Sequence, residues 1–248
     1  MSADSLAGGE PLGQVREARN TGPEPVKIGY RPYSRDERSA GDVLGPWSFP
    51  GLFFCLGEEG KTMKIKLSRI KDILKDIRSG KMVVVVDDPS RENEGDIITS
   101  AARIDSRKVN FMAKFARGLI CVPMEESSAE RLDLHMMSSS PQDPYKTAWA
   151  VSVDARKNVT TGISASDRAE TIRVLSDPSS SPEDLVRPGH VFPLRSRAGG
   201  VLVRAGHTEA GVDLMKLAGE PPVAVICEIM NEDGTMARMK DLVKFKET

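Results

Sequence analysis

The sequence predicts a β-sheet covered by helices, and three observations carry that prediction. Short apolar runs at 82–86, 118–122 and 223–230 have the length and β-branched content of buried strands. Between them lie amphipathic segments whose apolar residues recur three and four apart. No stretch repeats internally, so the alternation implies a layered arrangement of sheet and helices.

The elements follow in order. Residues 1–62 hold 10 of the 21 glycines and 6 of the 16 prolines with no sustained periodicity. They are expected to be a poorly ordered extension, or to lie outside the translated chain if synthesis starts at Met63. The folded domain is expected over 63–248. Its first helix has Ser68 as N-cap, Ile70, Ile73, Leu74 and Ile77 on one face, and Gly80 as terminator. Strand 82–86 leads through an acidic loop to strand 97–99, helix 106–117 and strand 118–122. Helix 127–132, a Pro/Ser/Gln loop at 138–144 and an alternating strand 147–153 come next. Helix 166–175 leaves through loop 177–182, and strand 200–204, helix 208–217 and strand 223–230 complete the pattern.

Length and charge exclude several classes. At 248 residues the chain suffices for one large domain or two small ones. Its 35 basic and 36 acidic residues give a net charge of −1, which provides no general attraction for nucleic acid or an anionic membrane. Phosphate recognition must therefore be local. Three cysteines without CxxC or Cys/His spacing argue against a disulfide framework and a structural zinc site, and fit a reducing cytoplasm. No apolar run approaches the roughly 20 residues needed to span a bilayer, and no secretory signal opens the chain.

The stretch 87–96, DDPSRENEGD, sets five carboxylates and one arginine directly after an apolar strand. A solvated turn is the ordinary reading of a charge run, yet this one is positioned by buried strands on both sides. Carboxylates gathered at a strand end repel unless a cation or a proton sits among them. The run therefore points to a hard divalent cation or to an acid/base group of raised pKa. In an extended backbone Glu92, Glu94 and Asp96 would share a face, and Arg91 offers a fork for a phosphate or hydroxyl group.

Further candidates are few. Of the three histidines, His135 takes the structural reading. His190 and His207 each follow a glycine, which lets the backbone bring an imidazole to a cleft. In RAGHTEAG, Arg204, the Thr208 hydroxyl and the amides of a helix start would form a phosphate cradle. The same residues also read as a helix cap with a surface arginine. Glu228 is a carboxylate within the apolar VAVICEIM, costly there unless paired or functional. Asp167, Arg168 and Glu170 fit a helix cap and ion pairs as well as substrate contact, while Cys121 and Cys227 read as core thiols.

On these residues the chain resembles the 3,4-dihydroxy-2-butanone 4-phosphate synthase family of riboflavin biosynthesis. DDPSRENEGD, TTGISASDRAETIR, RPGHVFPLRSRAGGVLVRAGHTEAGVDLMKLAG and CEIMNEDGTMAR carry the resemblance. It implies an α+β single domain with a mixed sheet between helical layers. It also implies a lyase that converts ribulose 5-phosphate to the four-carbon dihydroxybutanone phosphate and formate, using Mg²⁺ or Mn²⁺ with two ions per active site. A cytoplasmic homodimer with active sites near the subunit interface follows, with no nucleic-acid or membrane partner. Position by position, the resemblance places metal ligands at Glu92 and His207. Substrate contacts fall at Arg91, Glu92, Asp96, Arg204, Ala205, Gly206, His207, Thr208 and Glu228, and catalytic groups at Asp96, His190 and Glu228.

Three departures qualify the match. The chain ends after TMARMKDLVKFKET, where the family continues through the rest of a helix and a further strand, so the last strand is expected to be missing. The rival reading is accordingly a truncated, non-catalytic paralogue that retains only the fold. At this length no second, cyclohydrolase domain is expected. PYKTAWAVSV departs from the family's glycine or threonine followed by phenylalanine, which leaves a substrate role for Tyr145 and Thr147 open.

Overall fold

The computed structural model describes residues 27–28 and 68–246. The expectation of a poorly ordered extension, and the alternative start at Met63, fall outside these residues except for the two-residue strand β1 (Lys27–Ile28). It pairs in parallel with β2 (Val83–Val86).

The remaining strands are β3 (Gly95–Ser100), β4 (Cys121–Met124), β5 (Ala148–Trp149), β6 (Val153–Ala155), β7 (Leu185–Arg195) and β8 (Ala224–Glu228). They form one sheet in the order β1-β2-β3-β8-β4-β7-β5, with β6 also on β7. The sheet is mixed: β1–β2 and β4–β7 pair in parallel, while β2–β3, β3–β8 and β8–β4 pair antiparallel.

Helices cover both faces. One layer holds α1 (Ile70–Arg78) and α5 (His207–Ala218), which enclose Val83, Val85, Ile98 and Ile226 with Ile73, Ile77 and Leu214. The other holds α2 (Ser106–Phe111), α3 (Glu126–Arg131), α4 (Ala165–Ser176) and α6 (Met239–Phe245), packed on Val84, Val86, Ile97 and Val225. Alternate residues of β2 thus enter opposite cores. That is why its four valines show no polar alternation: neither face meets water. This is the α+β sandwich that the resemblance implies.

Several local expectations change. Ser68 does not cap α1; Arg69 occupies the N-cap without a side-chain cap bond and pairs with Asp72 at 2.9 Å instead. Helix 106–117 widens into a π-turn (Met112–Ala116) that ends on Arg117 at φ +69°. The strand expected at 147–153 is two strands, β5 and β6, both antiparallel to β7. The strand expected at 200–204 is absent. Gly199 and Gly200 take φ of +92° and +62° and feed a 3₁₀ turn (Gly200–Leu202), whose Val201 N–H donates to Asp213 at 2.9 Å. Strand β7 itself has no counterpart in the sequence reading, because Pro188 and Pro193 interrupt its pattern.

At the C-terminal end α6 packs into the core. Leu242 is 1% exposed and sits where any Cβ on Gly95 would be, while Phe245 meets Phe111 edge-on at 6.0 Å.

Candidate active site

The acidic run folds around its first residue. Asp87 ends the buried strand β2, and its carboxylate accepts the Glu94 N–H at 2.9 Å, the Glu92 N–H at 3.0 Å and Arg91 Nη1 at 2.8 Å. The loop therefore turns instead of extending, with Asn93 at φ +55° between Glu92 and Glu94. The shared face expected from alternation does not form. The acids converge because of Asp87, not because of pleating.

Asp96 enters from β3, in register with Glu228 on β8. His207 begins α5, its Nδ1 lying 3.6 Å from Asp96 Oδ1 and 3.8 Å from Glu92 Oε2. With Arg91, Arg204, Thr208 and Glu94 these residues line a cavity of about 260 Å³. Seven of the ten residues implied by the resemblance thus meet in one place. Ala205 and Gly206 form the turn behind it, and a Cβ on Gly206 would strike the Arg204 guanidinium.

His190 lies elsewhere. On β7, its Nδ1 is 2.7 Å from Asp154 Oδ2, its N–H donates to Asp154 Oδ1 at 2.9 Å, and it does not line the cavity of its own protomer. Asp167 caps the turn at 160–162 by accepting from Thr160 Oγ1 at 2.7 Å, the structural of its two readings.

Sequence reasoning missed two acids. Asp87 was one carboxylate among five, and nothing local marks it as the loop's anchor. Glu209, 1% exposed, accepts Arg204 Nη1 at 2.6 Å and the Arg197 N–H at 3.0 Å. Its position in the first turn of α5 was visible, but its arginine partner depends on the fold. Thr147 and Tyr145 also enter the cavity wall: Thr147 Oγ1 accepts from Arg204 at 2.7 Å.

The electrostatics suit a cation-binding or proton-exchanging site. Burial raises the Asp96 carboxyl well above its usual range, and the charges of Glu228, Glu92 and Glu94 push the same way. Burial also raises Glu92 against the opposing charge of Arg91, raises Glu94, and raises Glu228 against the Leu119 N–H that it accepts at 2.8 Å. Burial depresses the His207 imidazole to about 4, so it is neutral and able to ligate. Burial lifts both Cys121 and Cys227, keeping them as thiols.

Asp87, Glu92 and His207 each offer a ligand atom within 4.8 Å of the others. A divalent cation fits this set on an independent ground: Asp96 Oδ1 and His207 Nε2 are buried without hydrogen-bond partners. Asp87 already holds the loop through both oxygens, while Glu92 is ion-paired with Arg91 at 2.9 Å and His207 keeps an unpartnered ring nitrogen.

Fold and cavity define a class: an α+β domain with a cleft that combines cation-type ligands, buried acids of raised pKa and arginines for an anion. Comparison with known proteins specifies it further. The chain belongs to the 3,4-dihydroxy-2-butanone 4-phosphate synthase family, whose model matches residues 71–248. It is 54% identical over 184 residues to the riboflavin biosynthesis protein RibBA of Aquifex aeolicus, covering 73% of this chain and 45% of that protein. It is likewise 54% identical over 181 residues to a 3,4-dihydroxy-2-butanone 4-phosphate synthase of Neisseria meningitidis, covering 73% and 50%. The chain thus spans about half the length of these curated relatives. A solved 3,4-dihydroxy-2-butanone 4-phosphate synthase in complex with two magnesium ions matches with a TM-score of 0.70 at 45% identity, over 73% of this chain and 89% of that one.

Proposed function

We propose that this domain is a Mg²⁺-dependent lyase, with Mn²⁺ as an alternative ion, that converts D-ribulose 5-phosphate to L-3,4-dihydroxy-2-butanone 4-phosphate and formate for riboflavin biosynthesis. The observation that carries the proposal is the meeting of Glu92 and His207, 115 positions apart in the chain, at 3.8 Å beside Arg91 and Asp96. Two ions per site would suit the number of carboxylates lining the cavity, and the related synthase is solved in complex with two magnesium ions.

Each residue then has a physical role. Arg204, held by Glu209 and Thr147, joins the Thr208 hydroxyl and the start of α5 in gripping the phosphate. Arg91 orients hydroxyl groups at the other end. Glu92 and His207 hold the divalent cation, which supplies stabilisation of negative charge developing on the ketose oxygens. Asp96 and Glu228, whose carboxyls burial raises above their usual range, exchange protons with the sugar carbons and hydroxyls. The domain acts as a cytoplasmic homodimer. His190, with its imidazole exposed and outside its own protomer's cavity, serves the site across the interface. Among the described residues no helix is long and apolar enough to cross a membrane.

The test is formate release from ribulose 5-phosphate by purified protein, with Mg²⁺ and with a chelator. Metal-dependent formate is expected. Folded protein that yields none would overturn the proposal in favour of the non-catalytic paralogue.

A further inference from the structure

We propose that Tyr145 is a positioning residue for the anionic ligand: its ring backs the Arg91 guanidinium at the cavity mouth. The inference rests on the reading that this cavity takes a sugar phosphate. Tyr145 belongs to a strap, residues 143–147, that crosses the mouth. Asp143 shapes the strap by accepting the N–H groups of Thr147 at 2.5 Å and Tyr145 at 3.3 Å, with Lys146 at φ +56° between them. The strap is tied to one arginine through its backbone and Thr147. The Tyr145 carbonyl accepts Arg204 Nε at 2.9 Å, and Thr147 Oγ1 accepts Arg204 Nη2 at 2.7 Å.

It meets the other arginine through the ring. Arg91 Cζ stands 5.2 Å from the Tyr145 ring centroid, within cation–π range. Nη1 of the same guanidinium is held by Asp87 at 2.8 Å and Glu92 at 2.9 Å. Carboxylates fix the edge of the fork, the ring covers its face, and Arg91 still lines the cavity. The ring does not serve the core: Tyr145 is 43% exposed and belongs to neither buried cluster. Its contact with Arg91 therefore acts on the mouth of the site and not on the stability of the fold. Without the ring the guanidinium would keep its carboxylates but lose the surface that fixes its plane, and part of its preference for one ligand orientation.

The ring and the hydroxyl are separable. Tyr145 Oη is 3.5 Å from the Arg91 carbonyl, at the limit of a hydrogen bond, so the hydroxyl contributes little. Tyr145→Phe keeps the ring, whereas Tyr145→Leu keeps apolar bulk without a π face.

Binding of ribulose 5-phosphate by calorimetry, with a chelator present to prevent turnover, gives the affinity of each variant. Formate release with Mg²⁺ gives kcat and KM. Tyr145→Leu is expected to weaken affinity by about two- to five-fold, the size of an exposed cation–π contact, with the loss in KM rather than kcat. Tyr145→Phe is expected to restore wild-type affinity, and the melting temperatures of both variants to match the wild type. Equal affinities for wild type and Tyr145→Leu would overturn the inference, as would an equal loss in Tyr145→Phe. A wild-type chain that binds the sugar phosphate but releases no formate counts against the proposed reaction alone, and the affinity comparison still decides the role of Tyr145. A wild-type chain that neither binds it nor releases formate with Mg²⁺ overturns both.

Discussion

Asp96 and Glu228 face one another in register on neighbouring antiparallel strands, two acids beside the buried apolar pairs Ile97–Cys227 and Ile98–Ile226. Like charges directly opposite across a strand pair destabilise a sheet, and burial adds to the effect. The pair is thus a cost to the fold that its place in the cavity explains.

Asp96→Asn should therefore stabilise the protein by about 1 kcal/mol, or about 2–4 °C in melting temperature for a domain of this size, while abolishing turnover. The gain depends on pH. The folded pKa of Asp96 lies above its unfolded value near about 3.9, so the folded state binds the proton more tightly. Its contribution to stability is complete below that pH and is lost as pH rises through the folded value. Melting curves of both proteins from pH 4 to 8 should diverge with rising pH. A gain of constant size would point to packing instead of charge.

His207 gives the opposite slope. Its folded pKa of about 4 lies below the unfolded value near about 6.5, so the unfolded chain binds the additional proton between them. The contribution of His207 is complete above about pH 6.5 and is lost as pH falls through about 4. In NMR spectra of ¹³C-labelled histidine, its signal should remain at the neutral position throughout pH 5.5–7.5. Titration within that window would show that the ring is not sealed from water.

Sharing of the site between protomers has a numerical test. His190→Ala and Glu92→Gln should each be inactive alone. If Glu92 and His190 of one site come from different chains, random subunit exchange restores one intact site in half of the dimers, about a quarter of wild-type activity. If both come from one chain, mixing restores nothing.

Leu242→Ala should cost about 2–5 kcal/mol, since the side chain is 1% exposed and fills the space over Gly95. Urea denaturation measures this directly. A loss below about 1 kcal/mol would mean that α6 adds little to the core.

The strands buried on both faces were legible because an unbroken valine run has few alternatives, and the helices because their apolar spacing is regular. Strand β7 was not, since its prolines break the pattern and its pairing with β4, β5 and β6 is wholly non-local. Gly199 and Gly200 looked like the entry to a strand, but they take positive φ angles, with Asp213 and Val203 where side chains on them would stand, which sequence does not reveal. In the site, residue types that are unusual for their surroundings stood out: Glu228 in an apolar strand, five acids in one loop. Glu209 and Asp87 did not, because each is an ordinary acid until its distant or turn-making partners are known.

Asp87 shapes what binding costs here. By gathering the amides of residues 92 and 94 and the head of Arg91, it freezes the loop when the chain folds. A ligand of the cleft then meets side chains already aimed, so little of its interaction energy is diverted to ordering a mobile segment. A change at residue 87 should therefore act mainly as an entropic loss, felt by every ligand of the cleft whatever its chemistry.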